Sequence, residues 1–163
     1  MSKAFTRESD DAPEERVLPP LRSLLPPGAK NYLTPAGARR LQSELETLLQ
    51  ERTRASNPPS LEQRILRLQQ GLESAVVVAP PPPPWDQVRF GATVTVRHAN
   101  GERSQYRIVG ADETDVDRGW VSWLSPIAKT LLNARLGERV QFRFPAGEEQ
   151  LEIVGITYGS GTT

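Results

Sequence analysis

At 163 residues the chain has room for one ordinary domain or two small ones, and 20 basic against 20 acidic side chains leave no formal net charge, which argues against binding nucleic acid through phosphates alone. The absence of cysteine excludes a disulfide framework and a thiolate metal site, and suits a reducing cytoplasm. The N-terminal M-S-K-A-F-T-R-E-S-D-D lacks the apolar core of a signal peptide, and no run of about 18 apolar residues exists to span a membrane.

Residues 1–29 read as a disordered tail, rich in acids and prolines; Leu18, Leu21, Leu24 and Leu25 are its apolar exception. Thr34-Pro35 then opens a helix, with threonine as N-cap and proline at the first helical position. Ala38, Leu41, Leu45 and Leu48 follow at spacings of three and four, and Ser56-Asn57-Pro58-Pro59 stops the helix near Ala55. A second helix follows, with Ser60 as its expected N-cap, Gln63 completing a capping box, and a stripe of Leu61, Ile65, Leu68 and Leu72. So short a turn forces the helices antiparallel, and residues 30–79 read as a helical hairpin ending in a short β-type run at 75–79.

Five consecutive prolines at 80–84 favour an extended, semi-rigid linker. From residue 85 the chain is β-rich. Val94 and Val96 alternate with polar neighbours, Asn100-Gly101 predicts a type I′ hairpin turn into a strand at 104–109, and residues 120–124 predict a third strand. Ser125 and Pro126 start a short helix running to about Asn133. Val140, Phe142 and Phe144 mark a fourth strand, Pro145-Ala146-Gly147 a turn, and residues 150–158 a fifth strand. The expected product at 85–158 is a small antiparallel sheet covered on one face by a helix, with residues 159–163 as a tail, so the fold class is α+β.

Few other residues carry chemistry. His98 is the lone histidine, so neither a Ser-His-Asp arrangement nor a histidine metal cluster is expected. Asp112, Glu113, Asp115 and Asp117 lack the glycine and terminal glutamate of a Ca²⁺ loop and read as a solvated loop. Trp120 and Trp123, an odd number of residues apart, should face opposite sides of their strand, one in the core and one exposed.

The run F-G-A-T-V-T-V, Y-R-I-V-G-A-D-E, S-P-I-A-K-T-L-L, P-A-G-E, L-E-I-V-G-I-T-Y resembles the C-terminal domain of the bacterial transcript cleavage factors GreA and GreB. Asn31-Tyr32-Leu33-Thr34-Pro35 with Gly37 resembles the segment that opens the GreB hairpin. The resemblance implies a coiled-coil hairpin, a C-terminal domain of FKBP-like topology, and action at the secondary channel of bacterial RNA polymerase. It also implies that the S-P-I-A segment, here Ser125, Pro126, Ile127 and Ala128, contacts the polymerase.

Cleavage-stimulating members carry two acids at the hairpin tip, because hard carboxylate oxygens help hold a second Mg²⁺ at about 2.1 Å. Here the tip reads Ser56-Asn57-Pro58-Pro59, without an ionisable group. The nearest acids are Glu51 and Glu62, and the surroundings are basic, through Arg52, Arg54, Arg64 and Arg67. Each arm is also short by about ten residues, and hence ~15 Å of reach. The expectation is a non-catalytic polymerase-binding regulator with no metal or cofactor of its own, whose tip lies near nascent RNA. The competing readings are an active cleavage factor using Glu51 or Glu62, a peptidyl-prolyl isomerase, and an adaptor.

Overall fold

The computed structural model describes residues 25–54 and 58–159. Most of the tail expected at 1–29 therefore lies outside the described residues, as do Ala55, Ser56 and Asn57 of the interhelical turn and residues 160–163.

Thr34 starts α1 (Pro35–Arg54) as its chemistry requires: its Oγ1 accepts the Gly37 N–H at 3.0 Å. Pro35 fills the first helical position, where its missing N–H has no partner to lose. The start of α2 (Pro59–Ser74) corrects the sequence reading. Pro58 is the N-cap, Pro59 takes the first helical position, and no side chain caps the helix, so neither Ser60 nor Gln63 has the role expected of it. Consecutive prolines hold φ near the helical value from the outset, and the helix therefore begins two residues earlier.

The two apolar stripes meet. Leu45 and Leu48 bury against Leu61 and Ile65, with Leu49, Leu68 and Leu72 at the margins. Ala38 is only half-buried, whereas Gly37 lies inside. Arg52 reaches Glu62 at 3.6 Å and Arg64 reaches Glu44 at 3.3 Å, pairings that fit antiparallel helices. These exposed ion pairs add little, so the leucine and isoleucine contacts hold the hairpin.

At the hairpin's base β1 (Asn31–Leu33) and β2 (Ala75–Val77) form a parallel pair, Asn31 opposite Ala75 and Leu33 opposite Val77. The sequence reading has only an extended run at this second segment. Asn31 Nδ2 also donates to the Gly71 carbonyl at 2.9 Å, tying the entering strand to the last turns of α2.

The second part is a five-stranded sheet of β3 (Thr93–Arg97), β4 (Arg103–Val109), β5 (Trp120–Ser122), β6 (Arg139–Phe144) and β7 (Gly147–Thr157), in the order β5-β4-β3-β7-β6. Three of its pairings are antiparallel, but β4 and β5 run parallel, so the sheet is mixed. A parallel neighbour needs a crossover. Residues 110–119 supply one through two 3-10 turns, Ala111–Glu113 and Val116–Arg118. Strand β5 is also shorter than expected, because Ser122 takes the Leu124 N–H with its Oγ and the Ser125 N–H with its carbonyl, which turns the chain.

The β3–β4 turn differs from the type I′ expectation too. Gly101, not Asn100, has positive φ (88°), the Gly101 N–H bonds the His98 carbonyl, and the His98 N–H bonds Glu102. This is the longer hairpin loop in which a glycine in the left-handed region forms a bulge.

Helix α3 (Pro126–Leu131) lies over one face of the sheet, where Ala128 and Leu131 join Val94, Val96, Ile108, Leu151 and Ile153 in one core. Tyr158 closes this core: its hydroxyl donates to the Gln87 carbonyl and accepts the Arg89 N–H, both at 2.8 Å. Burial pushes its phenol above the ordinary value of 10.0. Stability from this group is therefore whole below pH 10 and is lost as pH rises through the shifted pKa.

Ile65 is 2% exposed and Leu45 8%. Ile65→Ala and Leu45→Ala should each cost about 2–5 kcal/mol in denaturant unfolding. A loss below about 0.5 kcal/mol for both would mean that the stripes do not pack.

Candidate functional site

The start of α3 is built from two adjacent residues. Ser125 caps it by accepting the Ala128 N–H at 3.3 Å, and Pro126, at the first helical position, is exposed. The other two residues of the S-P-I-A segment behave differently. Ile127 is half-buried against the core, and Ala128 is fully buried, so it positions the turn and cannot itself touch a partner. Beside α3 lies the edge strand β6, whose Phe142 and Phe144 rings sit 5.7 Å apart, with Phe144 37% exposed. An exposed proline on a capped helix start is a rigid apolar feature suited to protein contact.

The described part of the hairpin end includes Glu51, Pro58, Pro59 and Glu62. Ser56 and Asn57 lie outside the described residues, while Pro58 and Pro59 are exposed and carry no ionisable group. Glu51 is exposed on α1, and Glu62 is exposed and paired with Arg52. Arg64 is committed to Glu44. No group of three metal-ligating side chains exists among the described residues.

Where the hairpin meets the sheet, the structure corrects the reading of residues 112–117 as a solvated acidic loop. Asp115 is the N-cap of its 3-10 turn and pairs with Arg118 at 3.5 Å, but Glu113 is 2% exposed. Its Oε2 accepts the Thr34 N–H at 3.0 Å and the Gly110 N–H at 2.8 Å, and its Oε1 accepts the Thr34 hydroxyl. Thr34 Oγ1 thus donates to Glu113 while accepting from Gly37, so one carboxyl group ties the N-terminus of α1 to the crossover behind β4. Gly37 and Gly110 permit this approach, because a Cβ at either would overlap the Glu113 carboxyl. In the sequence, the only trace of this contact is that a threonine cap and a glutamate in an acidic run both exist; 79 residues separate them.

Tyr32 completes the seam, edge-on to Trp123 at 5.0 Å and tilted against Phe90 at 5.7 Å. The two tryptophans do not divide into core and surface. Both are half-buried, since Trp123 lies past the end of β5, where strand alternation no longer applies. A cavity of about 190 Å³ opens along the same seam, lined by Thr34, Pro35, Val78, Pro80, Phe90 and Arg107.

His98 is not isolated either. Its Nε2 lies 2.7 Å from Ser104 Oγ and its Nδ1 2.5 Å from Glu149 Oε1. A serine–histidine–acid row thus exists where the single histidine excluded one. Ser104 belongs to β4 and Glu149 to β7, the two strands flanking β3, so the ring pins three neighbouring strands together at the end of β3.

The arrangement defines a two-part α+β protein, a helical hairpin seated on a small antiparallel-rich sheet. A family model described as "Transcription elongation factor, GreA/GreB, C-term" matches residues 82–158. Transcription elongation factor GreB of Neisseria meningitidis is 36% identical over 154 positions, covering 79% of this chain and 94% of that protein. Transcription elongation factor GreA of Maricaulis maris is 38% identical over 100 positions, covering 61% of this chain and 64% of that protein. The structure of a prokaryotic GreA/GreB factor from Nitrosomonas europaea is 27% identical, covers 79% of this chain and all of that one, and has a TM-score of 0.43. The chain belongs to the GreA/GreB family of transcription elongation factors.

Removing the Glu113 carboxyl leaves the Thr34 and Gly110 N–H groups buried without acceptors. Glu113→Ala should therefore cost ~3 kcal/mol in denaturant unfolding. Gly37→Ala should also destabilise, although alanine improves an ordinary helix by up to ~1 kcal/mol. A neutral or stabilising Gly37→Ala would show that the carboxyl does not occupy this place.

Proposed function

We propose that this protein binds bacterial RNA polymerase through the exposed start of α3 and regulates elongation from the secondary channel, without delivering catalytic acids of its own. The observation that carries the reading is Pro126, an exposed residue on a capped and fully anchored helix start, in a chain of the GreA/GreB family. Residues 85–158 are the docking part, residues 30–79 the reaching part, and the prolines at 80–84 join them. Nascent RNA would lie near the basic end of the hairpin. The reading makes the protein an accessory cytoplasmic factor and not an enzyme; no described helix is long and apolar enough to cross a membrane.

Two observations support the loss of cleavage stimulation. Among the described residues neither Glu51 nor Glu62 belongs to a group of three metal-ligating side chains, and metal coordination tolerates errors of only tenths of an ångström. The second is length. The alignment with the Neisseria factor spans 154 positions but only 79% of these 163 residues, about 129, so about 25 positions of it have no counterpart here. Placed in the two arms of the hairpin, that gap removes about 12 residues from each, or ~18 Å of helical reach.

Pro126→Asn should weaken polymerase binding by about tenfold while the fold still melts cooperatively, since Ser125 continues to cap α3. Unchanged affinity in a competition assay would refute docking through this turn. On backtracked polymerase with Mg²⁺, the wild-type chain should shorten RNA no faster than polymerase alone. In excess it should slow an active GreB by mass action on a shared site. Rapid cleavage by the wild type that disappears in a Glu51→Ala/Glu62→Ala variant would restore the cleavage-factor reading.

A further inference from the structure

We infer that the seam between hairpin and sheet holds a binding site for a small multivalent oxyanion of the pyrophosphate kind, formed by Arg40, Arg107 and Arg118 around Trp120. The guanidinium carbons lie 5.4, 4.9 and 5.1 Å from the centre of the Trp120 ring. They come from three places: Arg40 from α1, Arg107 from β4, and Arg118 from the 3-10 turn before β5. An indole has two faces, so at least two of the three cations share one. Each attraction to the ring is worth about 0.5–2 kcal/mol, and mutual repulsion opposes it. Any two guanidinium carbons are at most ~10.5 Å apart, about the screening length at 0.1 M salt, so that repulsion persists in ordinary buffer.

The acids present do not neutralise the group. Among the described residues Asp115 alone is within ion-pair distance of any of the three, at 3.5 Å from Arg118. No acceptor among the described residues holds the Arg107 side chain: its buried Nε has no hydrogen-bond partner, so its guanidinium rests on the Trp120 ring and its terminal N–H groups are left for a ligand. An oxyanion held by the terminal N–H groups would relieve the repulsion among the three cations. Guanidinium forks match phosphoryl oxygens in shape as well as charge.

The size of the cluster selects the ligand. Guanidinium carbons no more than ~10.5 Å apart suit two or three phosphoryl groups, whereas a protein interface engages about 20–30 residues a side. The cavity of about 190 Å³ beside it, lined by Arg39 and Arg107, is also of small-molecule scale. Because Arg40 belongs to the hairpin and Arg107 and Arg118 to the sheet part, a bound anion ties the two together and stiffens the seam. The site does not require docking through Pro126.

The test is a titration of the full chain with sodium pyrophosphate at constant ionic strength, followed by calorimetry and tryptophan fluorescence. Binding should be saturable at one site per chain, should raise Tm by mass action, and should weaken about tenfold or more in Arg107→Gln and in Arg40→Gln. Arg107→Lys should bind less tightly than wild type and better than Arg107→Gln, because it keeps the charge and loses the fork. Trp120→Phe should remove most of the fluorescence response while leaving the heat of binding. Arg40 is exposed, so Arg40→Gln keeps the test decisive if the Arg107 variants fail to fold. A response no larger than that to sodium chloride, or equal affinity in wild type and Arg40→Gln, would overturn the proposal. So would tighter one-to-one binding of a poly-glutamate peptide or an RNA oligonucleotide than of pyrophosphate, since the cluster would then serve a macromolecule.

Discussion

One carboxyl group decides how the hairpin sits on the sheet. Glu113 lies in a 3-10 turn of the crossover between β4 and β5, yet two of its three hydrogen bonds serve Thr34, the residue that caps α1. A helix N-terminus has unpaired N–H groups and a partial positive charge, and a carboxyl satisfies both needs. The side chain is almost wholly buried, so it is tolerated only because all its donors are in place. That requirement propagates outward. Gly37 and Gly110 must lack a Cβ, Thr34 must have a hydroxyl, and the crossover must be tight enough to return Glu113 to Gly110. With the carboxyl fixed, Tyr32 enters between Phe90 and Trp123, and the seam gains an apolar half beside its polar one.

What could be read in advance follows from the range of each interaction. The α1 cap, the two stripes and the cap of α3 depend on residues within one or two turns of each other, and all are present. The α2 start was misjudged because two signals competed over two positions, and the stiffer one, proline, prevailed. The parallel neighbours are the other class of miss. Alternation marks a strand but not its direction, and a ten-residue crossover looks like a loop until its 3-10 turns are seen. Glu113, the His98 row and the arginines around Trp120 join segments far apart in the chain, so no local pattern announces them.

The candidate docking surface was legible for a related reason. Ser-Pro is a local cap, and the S-P-I-A string also carries the family resemblance, so chemistry and pattern coincide on four residues. Structure then divides those residues by role. Pro126 faces solvent, Ser125 holds the turn, and Ile127 and Ala128 fix it to the core. Anchoring matters for the proposed function because a contact surface loses less entropy on binding when its backbone is already fixed.

The division between hairpin and sheet would also accommodate the shortened arm of the proposed reading. The interhelical core of Leu45, Leu48, Leu61 and Ile65 is self-contained, and the base is closed separately by the β1–β2 pair and the Asn31 side chain. None of these contacts involves Pro58 or Pro59 at the far end. Helical residues beyond the last stripe leucine add length, while the junction to the sheet is fixed at Thr34 and Glu113. Reach can therefore shrink by whole turns without disturbing either the seam or α3. Chemistry at a distant metal has no such tolerance, because its ligands must arrive within tenths of an ångström. If docking sits on the sheet part and catalytic acids on the hairpin, as proposed, catalytic delivery can be lost through length alone. On the proposed reading this chain has lost it, keeping a rigid Pro126 at one end and an uncharged pair of prolines at the other.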